Sequence, residues 1–230
     1  MAGVSEEASA SERAYQVIRN SILEHKHEPG TMLGEAALAA DLGMSRTPVR
    51  VALARLQDEG WIIIYPKRGA LVQGLTERTA AELADARIVL EATSVDRASS
   101  DMRQRLAVHL GKSIEAQREV FADGDIGRFI DLTLQFHRGF VEVSQNRVLL
   151  ELYERLADRH RFLLFGSGDR LLARFADIIA EHERLVDHLR EGDVTGFAKA
   201  LRSHITETSE SDIGEISSTG EDVFPVSTAT

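Results

Sequence analysis

The sequence predicts a mostly α-helical protein in two parts: three short helices closed by a two-stranded hairpin, then a bundle of antiparallel helices. Three observations predict it. Apolar residues in the first 60 positions recur at helical spacing in three segments, separated by Gly or Pro-Gly stops. A β-rich run, Trp61-Ile62-Ile63-Ile64-Tyr65, is followed across Pro66-Lys67-Arg68-Gly69 by a second, Ala70-Leu71-Val72-Gln73. After Leu75 the helical pattern continues to about residue 208, and no strand pattern competes with it.

Residues 1–10 are small and acidic and read as disordered. A helix follows from Ser11, which can cap it, with Tyr15, Val17, Ile18, Ile22 and Leu23 on its apolar face and Pro29-Gly30 as its stop. A short helix over 35–41 stops near Gly43. Ser45 caps a third helix over 47–59, with Pro48 in the first turn, where a missing N–H costs nothing. Val49, Leu53 and Leu56 form its inner stripe. The hairpin completes a domain over 11–75. Helices at about 77–99, 101–123, 126–144, 147–165, 169–190 and 194–208, joined by short turns, build a second domain over 76–208. Residues 209–230 lack Lys and Arg, are rich in Ser, Thr, Gly and Glu, and read as a disordered acidic tail.

Composition excludes several classes. The longest apolar runs fall far short of the ~18 residues of a membrane span. No secretory signal is visible at the N-terminus, and there is no cysteine to form a disulfide, a zinc ribbon or a thiol nucleophile. A cytoplasmic location is expected. The 37 acidic and 27 basic side chains give a net charge of −10, which argues superficially against nucleic acid. The distribution reverses that argument. Residues 42–69 hold five basic side chains against two acidic ones, whereas residues 76–230 hold 19 against 28. A locally basic segment on an acidic body suits a DNA reader with a separate second domain.

In the segment from Leu38 to Arg50, a short helix, a Gly turn and a capped helix present the start of the second helix at the surface. That is the helix-turn-helix arrangement, in which this start enters the major groove. Ser45, Arg46, Thr47 and Arg50 lie in its first two turns. Backbone N–H groups there favour phosphate, and an arginine can donate two bonds to one guanine edge. Lys67, Arg68 and Gly69 at the hairpin tip suit the adjacent groove or backbone. Arg55 reads as a solvated or intramolecular partner instead.

The residues Gly30, Glu35, Leu38, Ala39, Leu42 and Gly43, then Ser45-Arg46-Thr47-Pro48-Val49-Arg50, Ala52-Leu53, Arg55-Leu56, Glu59-Gly60, Arg68-Gly69 and Val72, resemble the signature of the GntR family of bacterial transcription regulators. The resemblance implies a winged helix-turn-helix, with Ser45, Arg46, Thr47, Arg50, Arg68 and Gly69 touching DNA. Two positions depart from the family pattern. Val51 stands where members often have Glu, and Ala36 stands where some carry a DNA-contacting Arg.

Eight histidines invite a metal reading. His137 shares a helical face with Ile130, Leu134 and Val141. His182 shares one with Ile178, Ile179, Leu185, Val186 and Leu189, and His204 one with Phe197, Leu201 and Ile205. Three inward imidazoles from three helices predict a common polar cavity, whose needs a borderline divalent ion such as zinc can meet. His25, His27, His109, His160 and His188 show no comparable pattern and read as solvated or packing residues.

Arg87-x-x-x-Glu91, Phe136-His137, Ser144-Gln145-Asn146, Glu181-His182, Gly192-Asp193 and Ser203-His204 resemble the FCD-type ligand-binding domain of the FadR subfamily of GntR regulators. Many members hold a divalent metal with one Asp and three His, and bind a small carboxylate effector beside or onto it. The histidines carry over as His137, His182 and His204, whereas the Asp position is Thr133 here; Asp131 is out of register. Arg87 is a candidate clamp for the effector carboxylate, its alternative being an ion pair with Glu91 one turn on. Asn146 is a second candidate effector contact, its alternative being a helix cap.

The resulting expectation is an effector-responsive regulator, a repressor in the first instance, that binds a palindromic double-stranded operator as a homodimer. A metal-dependent helical hydrolase with an accessory DNA-binding domain is the competing class, since three histidines with an open metal position can activate water. No carboxylate pair, nucleophile–base spacing or phosphate loop supports it. A sequence-neutral DNA-packaging protein is the third class, and the acidic body opposes it.

Overall fold

A computed structural model describes residues 9–213. The described chain divides at Gly74 and Leu75 into two compact units. In the first, α1 (Ala10–Leu23), β1 (Met32–Leu33), α2 (Glu35–Asp41), α3 (Arg46–Asp58), β2 (Ile62–Tyr65) and β3 (Gly69–Val72) follow in order. The second holds α4 (Glu77–Arg97), α5 (Ser100–Ala122), α6 (Ile126–Glu142), α7 (Arg147–Gly166), α8 (Gly168–Ala173), α9 (Phe175–Glu191) and α10 (Val194–Ile213). Of the ends that the sequence predicts as disordered, 1–10 and 209–230, residues 1–8 and 214–230 lie outside the described residues. Ala10 and residues 209–213, counted with those ends, are helical.

In the first unit α1 packs on α3, and Tyr15, Ile18 and Ile22 are buried along with Val49, Leu53 and Leu56. Burying side chains of this size stabilises by roughly 1.5–3 kcal/mol each before the entropic cost of ordering them. A polar latch ties α1 to the end of α3. The Tyr15 hydroxyl donates to Glu59 at 2.9 Å, and Arg55 stacks over the Tyr15 ring while donating to Glu59 and Glu12. Arg55 is thus the intramolecular partner the sequence suggested. Ser9, rather than Ser11, caps α1, its hydroxyl accepting from the Glu12 N–H. The helix stops at Leu23, short of Pro29, with His25 in the left-handed region.

The hairpin is present, but the sheet has a third strand. β1 pairs antiparallel with β3, which pairs with β2, in the order β1-β3-β2. A two-residue strand carries no periodicity to read, which is why the sequence did not reveal it.

In the second unit α5 packs on α6 and α9, and α4 on α6, α7 and α10. Phe129, Phe136, Phe140 and Phe197 fill the centre. Side-chain caps at Thr76, Ser99, Asp125 and Asn146 start four of these helices. The segment expected as one helix over 169–190 is broken at Arg174, which leaves α-helical geometry at φ −96° and ψ 6°. Its guanidinium turns to Glu181 at 2.8 Å, and the next side chain, Phe175, stacks on Phe121.

Candidate functional site

In the first unit, Ser45 stands at the N-cap of α3, with Arg46, Thr47 and Arg50 exposed after it. The Ser45 hydroxyl makes no capping bond, so the expected side-chain cap is absent; only the position is right. Arg50 is held by Glu35 of α2, donating from Nη2 at 3.0 Å and from Nε at 3.3 Å. Glu35 thereby fixes the fork's orientation and raises the Arg50 pKa through hydrogen bonding and charge. Lys67 and Arg68 form the turn between β2 and β3, Lys67 with φ of 64°. Gly69 has a different reason to be glycine than access to DNA. Its φ is 123°, and a Cβ there would run into the carbonyl oxygen of Leu33 on β1.

In the second unit, His137 of α6, His182 of α9 and His204 of α10 come together, with one ligating nitrogen of each within 4.8 Å of the others. All three are buried. Their other nitrogens are held from outside the trio. Nδ1 of His137 meets Glu91 at 2.8 Å, Nδ1 of His182 meets Gln117 at 3.0 Å, and Nδ1 of His204 meets Glu181 at 2.6 Å. A carboxylate or amide oxygen accepts, so each Nδ1 carries a proton, and in the neutral tautomer each Nε2 keeps a lone pair. Nε2 of His137 and of His204 face each other at 3.2 Å, and Nε2 of His182 finds no hydrogen-bond partner among the described residues. Burial first, then the Arg87 charge and the neighbouring imidazole, holds His137 well below its usual pKa. His182 is lowered too, by burial first, then by the neighbouring His204 and His137, with Arg87 last.

In that tautomer two lone pairs face each other at 3.2 Å and a third is left unpaired, which is unfavourable unless a cation, a proton or a metal ion, lies among them. The 3.2 Å separation is close to the tetrahedral edge of about 3.3 Å that bonds of 2.0–2.1 Å would give. The donor set therefore fits a zinc-like ion, with acceptors behind each imidazole to fix its tautomer. Thr133, one turn before His137, is buried with its hydroxyl also unpartnered among the described residues. Asp131 pairs instead with Arg161 of α7.

Beside the trio, Arg87 lies buried on α4. Its Nε donates to Glu91 at 3.1 Å and its Nη1 meets Nε2 of His160 at 2.9 Å, while Nη2 has no partner among the described residues. Arg87 thus makes the ion pair with Glu91 that its spacing allowed, and Nη2 is left without a partner among the described residues. A cavity of about 100 Å³, bounded by Arg87, Leu134, Tyr153, Leu156, Ala157 and His160, opens here. It has room for several waters or a small organic acid. Glu91 is wholly buried, and burial pushes its pKa up against the opposing pull of Arg87 and Tyr153.

Residues 10–72 match the description "Bacterial regulatory proteins, gntR family", and residues 82–207 match "FCD domain". The chain belongs to the GntR family. Curated relatives agree along nearly the whole length. An HTH-type transcriptional regulator in an unstable DNA locus of Streptomyces ambofaciens is 28% identical, covering 94% of this chain and 90% of that one. The gluconate operon transcriptional repressor of Bacillus licheniformis is 29% identical over 86% and 82% of the two chains. A GntR transcriptional regulator from Rhodococcus sp. RHA1 shares the fold at a TM-score of 0.75, with 19% identity over 90% of this chain and 99% of the other. This GntR-family chain is a DNA-binding transcriptional regulator with an effector-binding FCD domain, not an enzyme; the hydrolase reading falls. Among the described residues no helix is long and apolar enough to cross a membrane.

Two residue assignments in the regulator change. Asn146 is a cap: its side chain accepts from the N–H groups of Val148 and Leu149, and it is not among the residues bounding the cavity. His160, read from sequence as a packing residue, is buried against Arg87 and bounds the cavity. A signal was present, since Tyr153, Leu156, His160 and Leu163 recur at helical spacing on α7. The sequence offers Glu91 only as a partner for Arg87 and gives no signal for Gln117; nothing local couples either to a histidine.

Proposed function

We propose that the protein is a repressor that binds a palindromic operator as a homodimer through α3 and the β2–β3 turn, and releases it when a small carboxylate enters the FCD domain. The observation carrying the reading is the buried trio of His137, His182 and His204, three Nε2 lone pairs converging beside an arginine with an unmet N–H. His137, His182 and His204 would hold a divalent ion, zinc or similar, and Arg87 would receive the effector carboxylate with its free Nη2. When bound, such an ion supplies a Lewis-acidic contact for the carboxylate. Glu91, Gln117 and Glu181 keep the imidazoles in the ligating tautomer. The repressor names of two relatives support the direction of regulation. Exposed Val89, Val148 and Leu152 on α4 and α7, which pack together, support a dimer made through this domain. The cytoplasm is the place of action that DNA binding requires.

The test is a thermal melting panel. Small carboxylates are added to the full-length protein with zinc, and with chelator. A rise with zinc, and a further rise with one carboxylate that also weakens DNA binding, is the expected result. Neither zinc nor any carboxylate moving the melting temperature would overturn the metal and effector assignments.

A further inference from the structure

We infer that Val51 reads a thymine methyl in the operator and is a specificity-determining residue of α3. The inference rests on the operator reading above. At 3.6 residues per turn, Thr47, Val51 and Ala54 fall on one stripe of α3, opposite the buried Val49, Ala52, Leu53 and Leu56. All three are exposed, Val51 by 55%. The stripe is therefore the most outward part of the helix, and beyond the Thr47 hydroxyl it presents only methyl groups. Arg46 and Arg50 flank it on one edge, and α3 has no acidic residue before Asp58.

A basic face with a methyl-bearing centre matches one surface in particular. Phosphates and guanine edges answer the guanidinium groups, and the thymine C5-methyl is the apolar feature of the major groove. Arg50 cannot swing across the stripe while Glu35 holds its fork, so the centre of the face is left to Val51. A branched side chain here gains by meeting a methyl and loses that contact at a cytosine, which carries only a C5–H in the methyl's place.

The experiment uses the full-length protein and a randomised duplex pool. Each thymine of the selected half-site is then replaced in turn by deoxyuridine, which removes only the methyl. At one thymine the wild-type protein should lose about fourfold in affinity, the value of one buried methyl-sized group. Val51→Ala, whose melting temperature should be unchanged because the side chain is exposed, should show no loss on the same replacement. A selected site at which no thymine responds, or an equal response in Val51→Ala, overturns the assignment of Val51 alone. A pool from which no site emerges overturns both this inference and the operator reading beneath it.

Discussion

His182 stacks on Phe136 and leaves Nε2 without a partner among the described residues, so its side chain is packed for geometry and unsatisfied in chemistry. Two substitutions separate those roles. His182→Ala removes one of the three proposed ligands and strands the Gln117 amide oxygen; zinc binding should vanish, and the metal-free protein should lose about 1–3 kcal/mol in urea unfolding from the orphaned buried amide. Gln117→Leu leaves all three Nε2 atoms present but frees the His182 ring to turn. Zinc affinity by calorimetry should then fall about 10–100-fold without being abolished. Equal zinc affinity in Gln117→Leu and wild type would show that the amide does not orient the ring. On the DNA side, Arg46→Ala should remove the preference for a selected site over random duplex. Lys67→Ala should weaken both and lower the salt slope by about 1. The histidine trio was legible because each member lies on its own apolar stripe. The groups behind them were not, because His137 meets Glu91 from 46 positions away and His182 meets Gln117 from 65. Helical periodicity says which way a side chain points, not which distant helix it will face.

The helices α1 and α3 depend on a latch whose chemistry is sensitive to alkali. Burial, then the bond and charge of Glu59, push the Tyr15 hydroxyl up to about 12 from an ordinary value of 10.0. A raised folded-state pKa contributes stability that is fully present below the unfolded value and lost as pH climbs through the folded one. The first unit should therefore loosen between about pH 10 and 12, and Tyr15→Phe should be flatter across that window when unfolding is followed by Trp61 fluorescence. An identical alkaline profile in Tyr15→Phe would remove the latch from the account. The strand β1 shows a different limit of sequence reading. Met32 and Leu33 are too short a run to announce a strand, and only Gly69 hints at one, since its missing Cβ lets the Leu33 carbonyl approach. Gly69→Ala should cost about 1–3 kcal/mol from the left-handed backbone alone, with the clash added. The hairpin itself was readable because β-branched residues, a turn and a second apolar run follow in sequence. The break at Arg174 was not, because no Gly or Pro marks it.

The two compact units divide the labour: one carries the exposed arginines of α3, the other the buried histidines and the cavity. Regulation then requires that ligand in the second change the equilibrium of the first, and such coupling is reciprocal. If a carboxylate lowers operator affinity by some factor, operator DNA must lower carboxylate affinity by the same factor. Arg87 is the point at which the coupling can be cut without dismantling the domain. Removing its charge would leave Glu91 buried without its guanidinium, answered only by His137 and the Tyr153 hydroxyl, at a cost of up to about 3–5 kcal/mol, so Arg87→Ala is uninformative. Arg87→Lys keeps a cation for Glu91 and gives up the planar fork with the spare Nη2 donor. The variant should bind zinc and operator as the wild type does, because the His trio and α3 are untouched. It should lose at least about tenfold in affinity for the proposed carboxylate effector, since one charge-assisted bond is worth about 1.5–3 kcal/mol. DNA release by the carboxylate should shift to correspondingly higher concentration. An unshifted release curve in Arg87→Lys would place the effector elsewhere in the bundle, and unequal coupling factors in the wild type would show that more than two states are in play.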